Sequence, residues 1–190
     1  DTGLLAMMLP EQYGGIGLDM LDRAVIYQEL GRALAPGPHF VSSVMGALAI
    51  GKGGSEAQRG ALLPAIGQGD LIVAPAWLEP DNSFGPQGVQ LRAGTTADGY
   101  RLDGVKRHVF YARAAQKLIV LARTGAADDA IDLLLVDTDA PGVTLEQQLS
   151  MASDTQYKVS FDAVAVPAAN RLGAPQSGWA RGHRKNSPGR

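Results

Sequence analysis

The spacing of apolar residues changes once along the chain, near residue 71, and this change limits the fold more than any single motif. Before it, apolar side chains recur at helical spacing; after it, they form short runs or alternate with polar residues. We therefore predict an α+β chain, with an N-terminal helical segment followed by a small antiparallel β-barrel or sandwich domain. The boundary is expected near Gly69-Asp70, which gives a partial helical domain over residues 1–70 and a β-domain over 71–172.

The first part predicts helices with recognisable ends. Asp19 is a candidate N-cap, and the segment 35–38, Ala-Pro-Gly-Pro, stops the helix that follows. The apolar residues of that helix fall on one side at helical spacing, and they are Leu21, Val25, Ile26, Leu30 and Leu34. A second helix is predicted from Phe40 to Ile50, and Ser55 with Gln58 forms a capping box for a third. Pro64 should kink that third helix or mark its last turn.

The second part predicts short strands separated by turn residues. The apolar runs and alternations that indicate strands lie at 71–74, 89–93, 100–102, 118–122, 131–136 and 159–164. Asp98-Gly99 is a strong signal for a β-hairpin, and the polar residues 125–129 are expected to join two further strands.

Composition excludes several classes of function. The net charge is −2, and the basic residues of 181–190 contribute +4, so residues 1–180 carry −2 − 4 = −6 and a nucleic-acid partner is not expected. The chain has no cysteine, and His39, His108 and His183 show no ligand spacing, so no metal site is predicted. No apolar run reaches the ~20 residues of a membrane span, and no secretory signal is visible, so we expect a cytoplasmic protein without a membrane span.

The glycine-rich segment 14–17, Gly-Gly-Ile-Gly, is expected to be a plain turn. A dinucleotide-binding loop of this kind needs a preceding strand within a βαβ unit, and here Leu9-Pro10-Glu11 precedes the glycines.

An ordered set of segments carries a family resemblance. Residues 10–18 resemble "PEEYGGxGL", 29–32 "EELGR", 54–69 "GSEAQK…LP…GE", 79–80 the centre of "TEPxAGSD", 104–112 "GxKxxVxxA", and 172–173 "LG". Their order and spacing over residues 3–179 resemble the acyl-CoA dehydrogenase family. The resemblance implies FAD as cofactor, an acyl-CoA thioester as substrate, and an electron-transferring flavoprotein as the electron acceptor.

In that family, a carboxylate of the C-terminal helical domain removes the α-proton, and the β-hydrogen leaves as hydride to the flavin. Residues 173–190 are expected to be the start of a linker to that domain, followed by a basic tail that matches nothing in the family. We therefore expect a fragment, assign no catalytic residue within it, and expect a homo- or hetero-oligomer for the intact protein.

The resemblance also assigns binding residues. It places Trp77 and Leu78 against the flavin at one strand end, and His108-Val109-Phe110 at a second contact, with Phe84 at a substrate-binding position. The family has hydroxyl side chains where this chain has Leu78, Phe84 and Phe110. Either backbone contacts and packing replace those hydrogen bonds, or the chain holds FAD poorly, and the expected result is weak FAD binding. The alternative interpretation is a non-catalytic partner subunit or binding module of a heteromeric acyl-CoA dehydrogenase.

Overall fold

The computed structural model describes residues 3–80, 85–151 and 154–179, and within these ranges helices precede a sheet. The helices are α1 (Met20–Arg32), a π-helix (Phe40–Gly46) continued by α2 (Ala47–Gly53), and α3 (Glu56–Gln68). Short 3₁₀ turns occupy Glu11–Tyr13, Pro86–Gly88 and Ala168–Asn170. In the part of the chain that is described, no helix has the length and apolar character needed to cross a membrane.

The strands form one eight-stranded sheet with an open path. They are β1 (Val73–Ala76), β2 (Arg92–Thr95), β3 (Gly99–Phe110), β4 (Lys117–Arg123), β5 (Ile131–Asp137), β6 (Val143–Gln148), β7 (Gln156–Pro167) and β8 (Arg171–Leu172). Their order is β6-β7-β3-β2-β4-β5-β8, with β1 paired to β4. Helices followed by a mainly antiparallel sheet are thus confirmed. The barrel or sandwich is not, because β6 and β8 lie at opposite ends of the path and the sheet does not close.

Several of the predicted local signals are present. Thr96 donates to the carbonyl of Gly99 at 2.9 Å in the turn between the antiparallel strands β2 and β3, so the hairpin is confirmed. Asp19 and Ser55 both form capping boxes, and α3 continues past Pro64 to Gln68. The predicted strand at 71–74 begins later, at Val73, and β6 was not predicted.

The segment predicted as one helix over 40–50 divides into two. Its first part is a π-helix, and only from Ala47 does α-helical geometry continue, as far as Gly53. The buried hydroxyl of Ser42 accepts a hydrogen bond from the backbone N–H of Val73 at 3.0 Å. This bond joins the π-helix to the first residue of β1, so the wider helical turn lies directly against the sheet.

The apolar side of α1 is not buried as a whole. Leu21 and Val25 are 77% and 63% exposed, and Leu34 is 87% exposed, whereas Arg23 is 3% exposed. Three of its five apolar residues therefore face outward, Ile26 and Leu30 are half-buried, and Arg23 is the buried residue among those described in the helix. Helical periodicity identifies which residues share a side, but the surface available to the helix decides which side is buried. The apolar pair Leu21 and Val25, one turn apart, is called the α1 patch below.

Two apolar clusters fill the interior. The first is formed by side chains of β1 to β5 and β7, among them Ala76, Leu102, Val120, Leu134 and Val159. The second joins the helices to the other face of β1, β4 and β5, through residues such as Ile50, Leu63, Ile66, Val73 and Ile119. Strands β1, β4 and β5 are therefore buried on both faces, and this fixes the end of β1 where the candidate site begins.

We predict that the α1 patch contributes little to folding stability. Replacing Leu21 and Val25 together by glutamine should change the free energy of unfolding by no more than about 0.5 kcal/mol per residue, because both side chains are exposed. The same variant should bind less ANS and self-associate less, because contiguous exposed apolar surface promotes association. Thermal melts and sizing chromatography check this. A loss of about 2 kcal/mol or more per residue would show that the side chains are buried.

Candidate functional site

The residues that follow β1, 77–79, lie next to β3. The backbone N–H of Arg107 donates to the carbonyl oxygen of Leu78 at 2.8 Å, and Lys106 Nζ donates to the carbonyl oxygen of Trp77 at 3.3 Å. These bonds bring residues 77–79 beside residues 106–107, which are distant in sequence. The two segments that the family resemblance assigns to the cofactor are therefore adjacent in the structure.

A buried ion pair lies beneath this junction. Lys106 Nζ is 2.7 Å from Glu79 Oε1, and the two side chains are 0% and 6% exposed. Burial lowers the pKa of Lys106, while the Glu79 carboxylate opposes that shift through its charge and its hydrogen bond. An ammonium group without its carboxylate would be costly in so apolar a position. The pair therefore constrains where the end of β1 can lie on β3.

Glu79 also binds a third segment. Its carboxylate accepts hydrogen bonds from the backbone N–H of Gln90 at 2.8 Å and of Leu91 at 3.0 Å. Charge-assisted hydrogen bonds of this kind are stronger than those between neutral groups. One side chain thus joins the end of β1, the segment that leads into β2, and β3. Glu79 and Lys106 belong to separate motifs of the sequence, and no local pattern predicts that they pair.

A β-bulge presents His108 at the surface. The pairing of β3 with β7 shifts register between Lys106 and Val109. Within this shift His108 has φ = 53°, in the left-handed region that few non-glycine residues adopt. A bulge of this kind redirects a side chain, and the imidazole of His108 is exposed while Val109 is buried.

The predicted cofactor residues fall into two groups. Trp77, Leu78 and Phe110 are 39%, 41% and 38% exposed, and these three residues together with the exposed His108 are called the aromatic face below. Val109 is 1% exposed, so only its backbone is available to a ligand. Phe84, the predicted substrate-binding residue, lies outside the described residues.

Two glutamines of neighbouring strands hold His108. Gln148 Oε1 accepts from the backbone N–H of His108 at 2.8 Å, and Gln156 Oε1 lies 2.8 Å from the ring atom Nδ1. Gln156 Nε2 in turn donates to Asp154 Oδ2 at 2.5 Å. No motif or periodicity in the sequence points to these residues, because their relation to His108 arises only from the pairing of β3, β7 and β6.

The aromatic face suits a flat aromatic ligand. It offers aromatic and aliphatic surface for stacking and one imidazole for hydrogen bonding, but Leu78 and Phe110 carry no hydroxyl. Within residues 3–80, 85–151 and 154–179, no three His, Cys, Asp or Glu side chains group together in a way that could hold a metal ion.

Comparison with family models gives two matches. Residues 1–70 match the N-terminal domain of acyl-CoA dehydrogenases, and residues 74–164 match the middle domain.

Among curated relatives, the human mitochondrial short-chain specific acyl-CoA dehydrogenase is 32% identical over 185 residues, covering 93% of this chain and 45% of that protein. A probable acyl-CoA dehydrogenase of Bacillus subtilis strain 168, YngJ, is 30% identical over 187 residues, covering 94% of this chain and 49% of its own length. The chain thus spans about half the length of these relatives.

Solved structures share the fold. A chain of the ChsE4-ChsE5 complex from Mycobacterium tuberculosis superimposes with a TM-score of 0.87 at 29% identity, covering 95% of this chain and 47% of that one. An acyl-CoA dehydrogenase from Bacillus anthracis, solved with FAD, gives a TM-score of 0.84 at 28% identity, covering 95% of this chain and 32% of that one.

We predict that replacing Lys106 by methionine destabilises the protein strongly. The change leaves the buried carboxylate of Glu79 without its cation, and breaking a buried pair in this way costs roughly 3–5 kcal/mol. Lys158→Met is the matched control, because Lys158 pairs with Glu146 on the same sheet but the side chains are 40% and 69% exposed. That change should cost at most about 1 kcal/mol. Denaturant unfolding measures both, and equal losses would contradict the role given to the buried pair.

Proposed function

Because the chain belongs to the acyl-CoA dehydrogenase family, of which it carries the N-terminal and middle domains, we propose that its aromatic face binds the isoalloxazine ring of FAD. The intact protein would then catalyse α,β-dehydrogenation of an acyl-CoA thioester and pass electrons to an electron-transferring flavoprotein. The observation that carries the proposal is the junction of residues 77–79 with β3, which unites the two segments assigned to the cofactor.

Each residue of the face has a distinct part in this proposal. Trp77, Leu78 and Phe110 supply stacking surface and exclude water from one side of the ring. Bound FAD would supply the redox chemistry by accepting the hydride that leaves the substrate. The buried ion pair of Glu79 and Lys106 holds residues 77–79 against β3, so the aromatic face is preorganised before a ligand binds.

The described residues do not supply an obvious proton acceptor. Glu79 is held in a buried ion pair with Lys106, and the hydrogen bonds from Ser150 and Gln156 lower the pKa of Asp154, which makes it a weaker base. A catalytic base must lie within hydrogen-bond reach of its proton with capacity to take it. We therefore assign removal of the α-proton to a residue outside the described part of this chain.

A second candidate function rests on the missing hydroxyls. Leu78 and Phe110 are exposed at the aromatic face and offer a flavin no side-chain hydrogen bond. A chain with such a face could instead serve as a non-catalytic subunit that pairs with a flavin-binding partner of the same family. The structural likeness to a chain of the ChsE4-ChsE5 complex supports this alternative.

We predict weak FAD binding that two threonines improve. Fluorescence titration of the chain should give an affinity weaker than micromolar. Leu78→Thr together with Phe110→Thr should tighten it about fivefold to a hundredfold, because each new hydrogen bond contributes roughly 0.5–1.5 kcal/mol.

Leu21→Thr is the matched control for this titration, since Leu21 is an exposed leucine of α1 and should leave the affinity unchanged. An unaltered affinity in the double variant would mean that the flavin does not lie against Leu78 and Phe110. No FAD binding by any variant, together with a stable complex with a flavin-binding relative, would favour the second function.

We also predict that these 190 residues alone do not dehydrogenate acyl-CoA substrates. The reason is that Glu79 is buried in its ion pair with Lys106, and that hydrogen bonds from Ser150 and Gln156 hold the pKa of Asp154 below its ordinary value, so both carboxylates are poor proton acceptors. The assay follows reduction of ferricenium with acyl-CoA substrates of several chain lengths in the presence of FAD. Turnover above a blank that contains only FAD would refute the prediction.

A further inference from the structure

The hydrogen bonds around His108 determine where its ring proton lies. An ionised carboxylate can only accept hydrogen bonds, so the Gln156 atom that lies 2.5 Å from Asp154 Oδ2 is the amide nitrogen. The hydrogen bonds from Ser150 and Gln156 hold the pKa of Asp154 below its ordinary value, so it is a carboxylate at neutral pH. The orientation of the Gln156 amide is thereby fixed rather than ambiguous.

The orientation of Gln156 then fixes the imidazole. Its amide oxygen lies 2.8 Å from His108 Nδ1, and an amide oxygen only accepts hydrogen bonds. Nδ1 must therefore carry a proton. In the neutral ring the other nitrogen, Nε2, is then an acceptor, and no described residue forms a hydrogen bond with it. Free imidazole side chains prefer the opposite tautomer, so the protein imposes this one.

The backbone supports the same arrangement. His108 has a left-handed conformation at the bulge, and non-glycine residues in that region persist only where surrounding contacts over-determine them. Here Gln148 holds the backbone N–H and Gln156 holds the ring, each from a different strand. The exposed ring belongs to the aromatic face, beside Phe110 on β3.

We propose that Asp154 and Gln156 are positioning residues that hold His108 in the Nδ1–H tautomer, so that Nε2 is a fixed hydrogen-bond acceptor on the aromatic face. This rests on the proposed function for the identity of the ligand: Nε2 would accept from an N–H of the isoalloxazine ring. The face would thus recognise a flat heteroaromatic ligand through a donor on the ligand, although it has lost the hydroxyls that the family resemblance leads one to expect.

The tautomer can be measured without flavin. Long-range ¹H–¹⁵N NMR correlations of the ¹⁵N-labelled chain, recorded at a pH above which the ring signals no longer change, distinguish protonated from unprotonated ring nitrogens. The His108 signals are assigned by their loss in His108→Phe. We expect a protonated Nδ1 and an unprotonated Nε2 in the wild-type chain. A protonated Nε2 as the main form would overturn the proposal, whatever the behaviour of the variants.

Two glutamine variants separate the ring contact from the backbone contact. Gln156→Met should shift His108 towards the Nε2–H form, whereas Gln148→Met, which removes only the bond to the backbone N–H, should leave the tautomer unchanged. An identical His108 spectrum in Gln156→Met and in the wild type would overturn the positioning role of Gln156.

FAD titration of the same variants tests the acceptor role. Gln156→Met should weaken binding about two- to tenfold, as expected for one hydrogen bond, while Gln148→Met should have the smaller effect. Equal affinities of Gln156→Met and the wild type would overturn the role of Nε2 in flavin binding. No measurable FAD binding by any of the proteins, with the Nδ1–H tautomer observed, would contradict the proposed function and leave the tautomer assignment standing.

Discussion

The buried ion pair between Glu79 and Lys106 is the interaction on which the rest of the candidate site depends. It joins three segments that are remote in sequence, because the same carboxylate also accepts from the backbone of residues 90 and 91. Desolvation makes such a pair a poor source of net stability, yet losing either partner is costly. Its consequence is therefore positional: the end of β1 can occupy only one place on β3.

The aromatic face follows from that constraint. With residues 77–78 held against residues 106–107, the chain immediately after Lys106 bulges, and His108 adopts a left-handed conformation supported by Gln148 and Gln156. The ion pair positions Trp77 and Leu78, and the two glutamines position His108. A surface built in this way is preorganised for a flat ligand, even though its side chains differ from those that the family resemblance implies.

Sequence reasoning succeeds where the determining interactions are local. Residues within a few positions of one another form the capping boxes at Asp19 and Ser55 and the hairpin at Asp98-Gly99, so these features can be predicted from the sequence. It fails where distant partners decide. The buried side of α1, the π-helix and the pairing of Glu79 with Lys106 depend on packing across the fold. The hydrogen bonds that link Asp154, Gln156 and His108 depend on the register of β3 and β7, which no local pattern predicts.

Amide hydrogen exchange in a Glu79→Gln variant tests most directly whether the pair positions the site. Arg107 bonds to Leu78 at the junction, whereas Leu133 lies on β5 between β4 and β8, and β1 does not pair with that strand. If the pair holds the junction, exchange at Arg107 should accelerate by a clearly larger factor than exchange at Leu133, because local opening precedes global unfolding. Equal acceleration at both amides, or no change at Arg107, would contradict the account, since the pair would then affect only global stability or nothing at this site.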